Sequence, residues 1–202
     1  VLSCLNTDRN ALEMANHFYV SGFFEFAEPD FISKEDESCS TNDPLYGLQW
    51  NLMNSGQYGT EYIGIDINYS GVSQLIPENT DIVVAVVDEG IQLNHPDLSA
   101  NMLDTGFDAE TRSSPSVCYG SHGTNCAGII GAISNNGIGI SGIFNGKLMS
   151  ISTKLKNDTL STFKRAESIV YATEHGADVI SNSWMSRIRL SAIDEAIKYA
   201  LS

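Results

Sequence analysis

An α/β fold built on a parallel sheet is what this sequence predicts, and three observations carry that expectation. "DIVVAVVD", residues 81–88, is an unbroken apolar run ending in a carboxylate, the pattern of a strand covered on both faces. Downstream, strand-like and helix-like runs alternate. "HGTNCAGIIGAIS" reads as a helix of small residues, "GKLMSISTKL" as a second strand and "TLSTFKRAESIVYATEHG" as an amphipathic helix; "ADVISNSW" reads as a third buried strand and "SAIDEAIKYALS" as a third helix. Such alternation makes βαβ units, hence parallel pairing. Finally, 202 residues at 42% hydrophobic and 18% charged suffice for one large domain, or one domain with a small appendage.

Upstream of Asp81 the chain is less regular. "DRNALEMANHFYVSG" predicts a helix capped by Asp8, with Leu12, Ala15, Phe18 and Tyr19 as its apolar stripe and Gly22 as its stop. "FFEFAEPDF" alternates like a strand as far as Pro29. The polar, acidic stretch "SKEDESCSTND" reads as a linker, and residues 44–80 as loop-rich chain with a short helix near Val72 to Ile76. At the other end, the stripe of Ile193, Ile197 and Leu201 stops without a glycine cap or a proline, so the fold is expected to continue past Ser202.

Bulk properties narrow the function. A formal charge of −14 argues against non-specific nucleic-acid binding, which needs a basic face, and suits extracellular solubility, cation binding or a basic partner. No apolar run approaches the roughly 20 residues of a membrane span. No signal peptide opens the chain as given. Four cysteines allow three full pairings, and spacing does not choose among them.

Chemistry concentrates at two places. In an open α/β sheet, sites gather at the carboxyl ends of the strands, and Asp88 sits at such an end. His122, in "GSHGTNCAG", opens the helix of small residues. A helix N-terminus disfavours imidazolium, so a nearby carboxylate is physically useful there. Asp88 and His122 therefore look like a base and its orienting acid. Cys126, one turn further on, reads as a buried free thiol.

With "VVAVVDEGIQLNHPDL", "SHGTNCAGIIGA" and "VISNSW" in this order, the chain from about Asp43 to Ser202 resembles the subtilisin-like serine proteases, the subtilases. The resemblance implies a subtilisin-like fold, incomplete here, with residues 44–202 as the N-terminal part of a catalytic domain, 35–43 as a linker and 1–34 as the C-terminal part of an inhibitory propeptide. It implies a secreted or cell-surface endopeptidase acting on polypeptides, with Asp88 orienting His122 and His122 serving as general base. The family's serine, in a "GTS" context, and its oxyanion asparagine are expected in the remainder of the same protease chain; residues 1–202 alone are expected to be inactive. The same likeness assigns substrate contacts to Ser183, Trp184, Met185 and Leu155. It implies a structural calcium held by Asp43, Asp97 and Asn136, with backbone carbonyls of Ile133, Ile138 and Ile140. A catalytically inactive, peptide-binding module is the alternative, and the dyad weighs against it. Nucleotide binding through "GIIGA" is weaker, because those glycines fall inside a helix pattern.

Overall fold

A computed structural model describes residues 11–23, 41–73, 75–76, 80–156, 160–186 and 188–202. The chain divides into two compact units, residues 1–37 and 38–202. In the first, helix α1 spans Ala11–Val20. It ends as its glycine predicts: Ser21 and Gly22 donate to the His17 and Tyr19 carbonyls at 3.1 and 3.3 Å, and Gly22 has φ +71°. Ala15 is buried on its stripe, but Tyr19, in the last turn, is exposed. The Asp8 cap lies outside the described residues, as does the expected "FFEFAEPDF" strand apart from Phe23.

The second unit holds a four-stranded, all-parallel sheet in the order β2–β3–β1–β4. Its strands are β1 (Val83–Asp88), β2 (Phe107–Asp108), β3 (Lys147–Ser152) and β4 (Val179–Ser181). The helices are α2 (Tyr69–Ser73), α3 (His122–Gly131), α4 (Ser161–Glu174) and α5 (Ser191–Ala200). β1 lies centrally, registered with Asp88 opposite Ser152 of β3 and with Val86 opposite Ser181 of β4.

Alternation along β1 explains its unbroken apolar run. Val84 and Val86 pack with Ile91, Leu98, Leu148 and, from α3, Ala127. Ala85 and Val87 point the other way, onto Met149, Ile151, Phe107 and, from α4, Ala172. Every residue of the strand therefore meets a covered face. Full burial of a side chain such as Leu148 is worth about 1.5–3 kcal/mol.

Three elements differ from expectation. β2 is a two-residue strand that no pattern announces. α2 begins three residues earlier than expected, because Tyr69 is buried with Tyr46 and Leu52 and its hydroxyl donates to the Gly142 carbonyl at 3.2 Å. β4 is short and not buried: among the described residues it pairs only with β1, and Val179 is 52% exposed. Beside it a groove of about 330 Å³ is lined by Ile169, Ala177, Ile180, Ile197 and Leu201, among others. No helix among the described residues is long and apolar enough to cross a membrane.

Candidate active site

A carboxylate at the end of a covered strand is costly unless it is bonded. Asp88 is fully buried, and its oxygens are occupied. Oδ1 accepts the Glu89 N–H at 2.7 Å, and His122 Nδ1 lies 2.8 Å from Oδ1 and 3.0 Å from Oδ2. The imidazole itself is half exposed. With Nδ1–H held by the carboxylate, Nε2 across the ring keeps its lone pair and can accept a proton. The His122 pKa is raised above its ordinary 6.5, first by its hydrogen bond to Asp88 and then by that carboxylate's charge, with Glu89 adding to it and burial opposing. The carboxylate thus outweighs the burial, which alone would lower the value.

Two glycines let the sheet and α3 come close enough for this bond. Gly90 has φ +84°, and a Cβ there would stand 2.2 Å from the Val117 carbonyl oxygen. A Cβ on Gly123 would stand 2.5 Å from the Gly90 oxygen and 3.1 Å from Asp88 Cβ. The segment leading into His122 is also fastened from below. The Ser116 hydroxyl donates to Ser150 Oγ at 2.7 Å, Val117 N–H to Ser152 Oγ at 2.9 Å, and Tyr119 N–H to the Glu89 carbonyl at 2.7 Å. The Tyr119 hydroxyl reaches Asp108 Oδ2 at 2.9 Å, at the end of β2. Burial, then the bond to Asp108, push the Tyr119 phenol up to about 12. Burial works to raise the Asp108 pKa, but bonds from Thr111, Tyr119, Glu110 and Ser152 overcome it and hold the carboxyl below its usual value.

The subtilase family model (peptidase S8) matches residues 79–201. The chain belongs to the subtilase family. It is 33% identical over 160 residues to thermitase of Thermoactinomyces vulgaris, covering 79% of this chain and 53% of thermitase. It is 29% identical to kexin of Saccharomyces cerevisiae, covering 76% of this chain and 18% of kexin. Among solved structures, a protease from Pseudoalteromonas arctica superposes with TM-score 0.63 at 26% identity, covering 79% of this chain and 55% of that one. Fervidolysin from Fervidobacterium pennivorans, described as a keratinolytic enzyme related to subtilisin, superposes at 0.62 and 26% identity, covering 81% and 24%. This subtilase chain spans about half the length of thermitase and less of kexin.

Other expected site residues fall into two clusters. Around the 133–140 loop, Asp43 and Asp97 are both buried, and neither forms an ion pair among the described residues. Asp43 takes the N–H groups of Asn135, Asn136 and Gly137 at 2.8, 3.0 and 3.3 Å, with the Thr41 hydroxyl on the same carboxylate. Those four donors match the roughly four lone-pair sites a carboxylate offers. Among the described residues, the Asp97 carboxylate takes only the Asn136 amide at 2.9 Å and Ile140 N–H at 3.0 Å. Ile133 N–H donates to the Asp97 backbone carbonyl, and Ile138 N–H to Asn136 Oδ1. Two buried carboxylates without an ion pair among the described residues, one of them with few donors, beside an amide at one loop are oxygen chemistry that suits calcium.

In the second cluster, Ser183 and Met185 are exposed, while Trp184 is half-buried with its indole N–H donating to the Val87 carbonyl at 3.0 Å. Leu155 is half-buried, and its carbonyl accepts from Arg165. Cys126 is not buried as expected: it packs against the Val84 and Val86 cluster but stays partly exposed, with Sγ 3.9 Å from His122 Nδ1. Cys118 and Cys126 are both free thiols; Cys4 and Cys39 lie outside the described residues.

Sequence reasoning missed Arg165 and the hydroxyl fasteners. Both leave a signal. Ser150 and Ser152 stand on the same face of an apolar strand, and Arg165 interrupts an apolar helical stripe.

Proposed function

We propose that this chain is the N-terminal part of a serine endopeptidase, in which Asp88 holds the imidazole of His122 and His122 takes the proton of a serine hydroxyl as it attacks a peptide carbonyl. The observation that carries this reading is the bond from His122 Nδ1 to a buried carboxylate in a family of proteases. Asp88 sets the tautomer, leaving Nε2 free as the base, and stabilises the imidazolium that forms. Nε2 then returns the proton to the leaving amine. The serine and the oxyanion donor belong to the remainder of the protease, so residues 1–202 alone would not turn over. That remainder would also cover the β4 edge and its apolar groove. Residues 1–34 are read as the tail of a propeptide, 35–43 as its linker, and the enzyme as secreted or cell-surface. Ser183, Trp184, Met185 and Leu155 would line the polypeptide's path.

A pH–rate profile tests the dyad. In the full-length protein, kcat/KM for a peptide should fall on the acid side through a pKa above 6.5, because His122 must be neutral and Asp88 raises its pKa. Asp88→Asn should move that limb to lower pH and cut kcat about 10⁴-fold. A wild-type limb below 6.5, or one unmoved by the substitution, would refute the pairing. The same raised pKa means that the ion pair's contribution to folding is full below about pH 6.5 and is lost as pH rises through the folded value. With the ring half exposed, that contribution is small.

Calcium would be held by the Asp97 carboxylate and Asn136 oxygen with carbonyls of Ile133, Ile138 and Ile140, while Asp43, saturated by N–H donors, anchors the loop. Bound there, the ion would supply the positive charge that the two buried carboxylates lack. Calcium at about 100 times its dissociation constant should stabilise the full-length protein by ~2.7 kcal/mol. Chelation should lower Tm, and Asp97→Asn should abolish the calcium-dependent increment; a Tm indifferent to chelator removes the ion from this account.

A further inference from the structure

Helix α4 carries a cation where its spacing asks for an apolar side chain. Arg165, Ser168, Ile169 and Ala172 form its buried face, and Arg165 is only 5% exposed. A guanidinium keeps its charge in any protein environment, and burying it without an anion is costly. Yet no Asp or Glu among the described residues pairs with Arg165, in a chain with 25 acidic residues against 11 lysines and arginines. Its Nε is shielded from solvent and has no acceptor among the described residues. Its recorded hydrogen bond, from Nη2 to the Leu155 carbonyl, is long at 3.4 Å. What it has instead is an aromatic neighbour: Cζ stands 5.0 Å from the centroid of the Trp184 ring. That contact orients the guanidinium without satisfying its donors.

The location explains what the guanidinium is for. β3 and β4 flank β1, and Leu155 and Trp184 follow the carboxyl ends of those two strands. Arg165 touches both. Trp184 in turn is bonded to Val87, the residue before Asp88, so the guanidinium and the dyad share one rim of the sheet. The carboxyl rim is where such sheets bind ligands.

We propose that Arg165 is the floor of a substrate pocket for an acidic side chain, a Glu or Asp at one position of the polypeptide being cut. For its substrate class this rests on the protease reading above. A carboxylate matches the guanidinium fork with two parallel N–H···O bonds and supplies the missing counter-charge. A neutral amide offers only weaker bonds, and a lysine brings like charge to a buried cation. An apolar residue at 165 would stack on Trp184 without the cost of desolvating a charge, so packing alone does not account for an arginine.

The test reads binding, not turnover. Full-length protein carrying His122→Ala is titrated with fluorescent peptides in which a single Glu, Gln or Lys is walked along an otherwise neutral sequence. At one position Glu should bind about tenfold or more tighter than Gln, the gain expected of a charge-assisted bond, with Lys weakest. Arg165→Gln should bring the Glu-to-Gln ratio at that position to about one, and Arg165→Lys, which keeps charge but loses the fork, should fall between. No Glu preference at any position, no binding by any peptide, or a ratio that survives Arg165→Gln would each overturn the proposal. If the Arg165 substitutions unfold the protein, the walk on His122→Ala still overturns the proposal wherever it finds no position that favours Glu. Absence of turnover in the unmutated enzyme would count against the protease reading alone.

Discussion

Replacing His122 by alanine in the full-length protein is expected to cut kcat for peptide hydrolysis by about 10⁶-fold, a magnitude taken from subtilisin itself. The fold should survive. The imidazole is half exposed, and after its removal Asp88 still accepts the Glu89 N–H, so the stability cost should be that of one lost partner, about 1–3 kcal/mol. Residues that work as a unit are not additive, so combining His122→Ala with Asp88→Asn should reduce kcat little further. Stopped-flow assays with melting curves on the same preparations separate loss of chemistry from loss of fold. A His122→Ala enzyme that retains even a hundredth of the wild-type rate, while folded, would exclude His122 as the base.

Gly123→Ala should be damaging although the added methyl carries no functional atom. The new Cβ would lie 2.5 Å from the Gly90 carbonyl oxygen, a contact with backbone that no rotamer change relieves. α3 must back away from the end of β1, and its first residue is His122. A displacement on the order of 1 Å at a reacting group costs about 10²-fold in rate. Gly90→Ala should act from the other side: the strain of φ +84° adds about 1–2 kcal/mol to a collision with the Val117 carbonyl. Both variants should lose kcat/KM by about 10²-fold or more and should lose the hydrogen-bonded Nδ1 proton signal. Wild-type kinetics in both would show that the close approach is incidental.

Much of this was legible in the sequence because it follows from local rules. β1 announced itself as an apolar run, α3 as a run of small residues, α4 and α5 as periodic stripes, and Asp88 and His122 as polar groups at element ends. What escaped detection depends on pairing across distance. β2 is a strand only because Phe107 and Asp108 meet Ile151 and Ser152, and two residues have no period. β4 read as buried because "ADVIS" is apolar, but burial needs a second neighbour, and among the described residues β4 has only β1. Asp43 was singled out for its carboxylate, while the loop N–H groups that occupy it lie more than ninety positions away in the chain. Arg165 passed unnoticed within the α4 stripe, and its lack of an anionic partner among the described residues shows only in the folded chain.

The serine hydroxyls beneath the 116–121 segment have a thermodynamic consequence. A side chain as short as serine surrenders little rotational freedom when fixed, whereas a lysine or glutamate doing the same task would forfeit up to about 2 kcal/mol. Ser116, Ser150 and Ser152 therefore immobilise the approach to His122 at low entropic expense, and they do so when the chain folds. On the protease reading, a peptide arriving later would meet an imidazole already at rest. The free energy of its own contacts would then be left to hold the scissile bond in place instead of being consumed in ordering a loop.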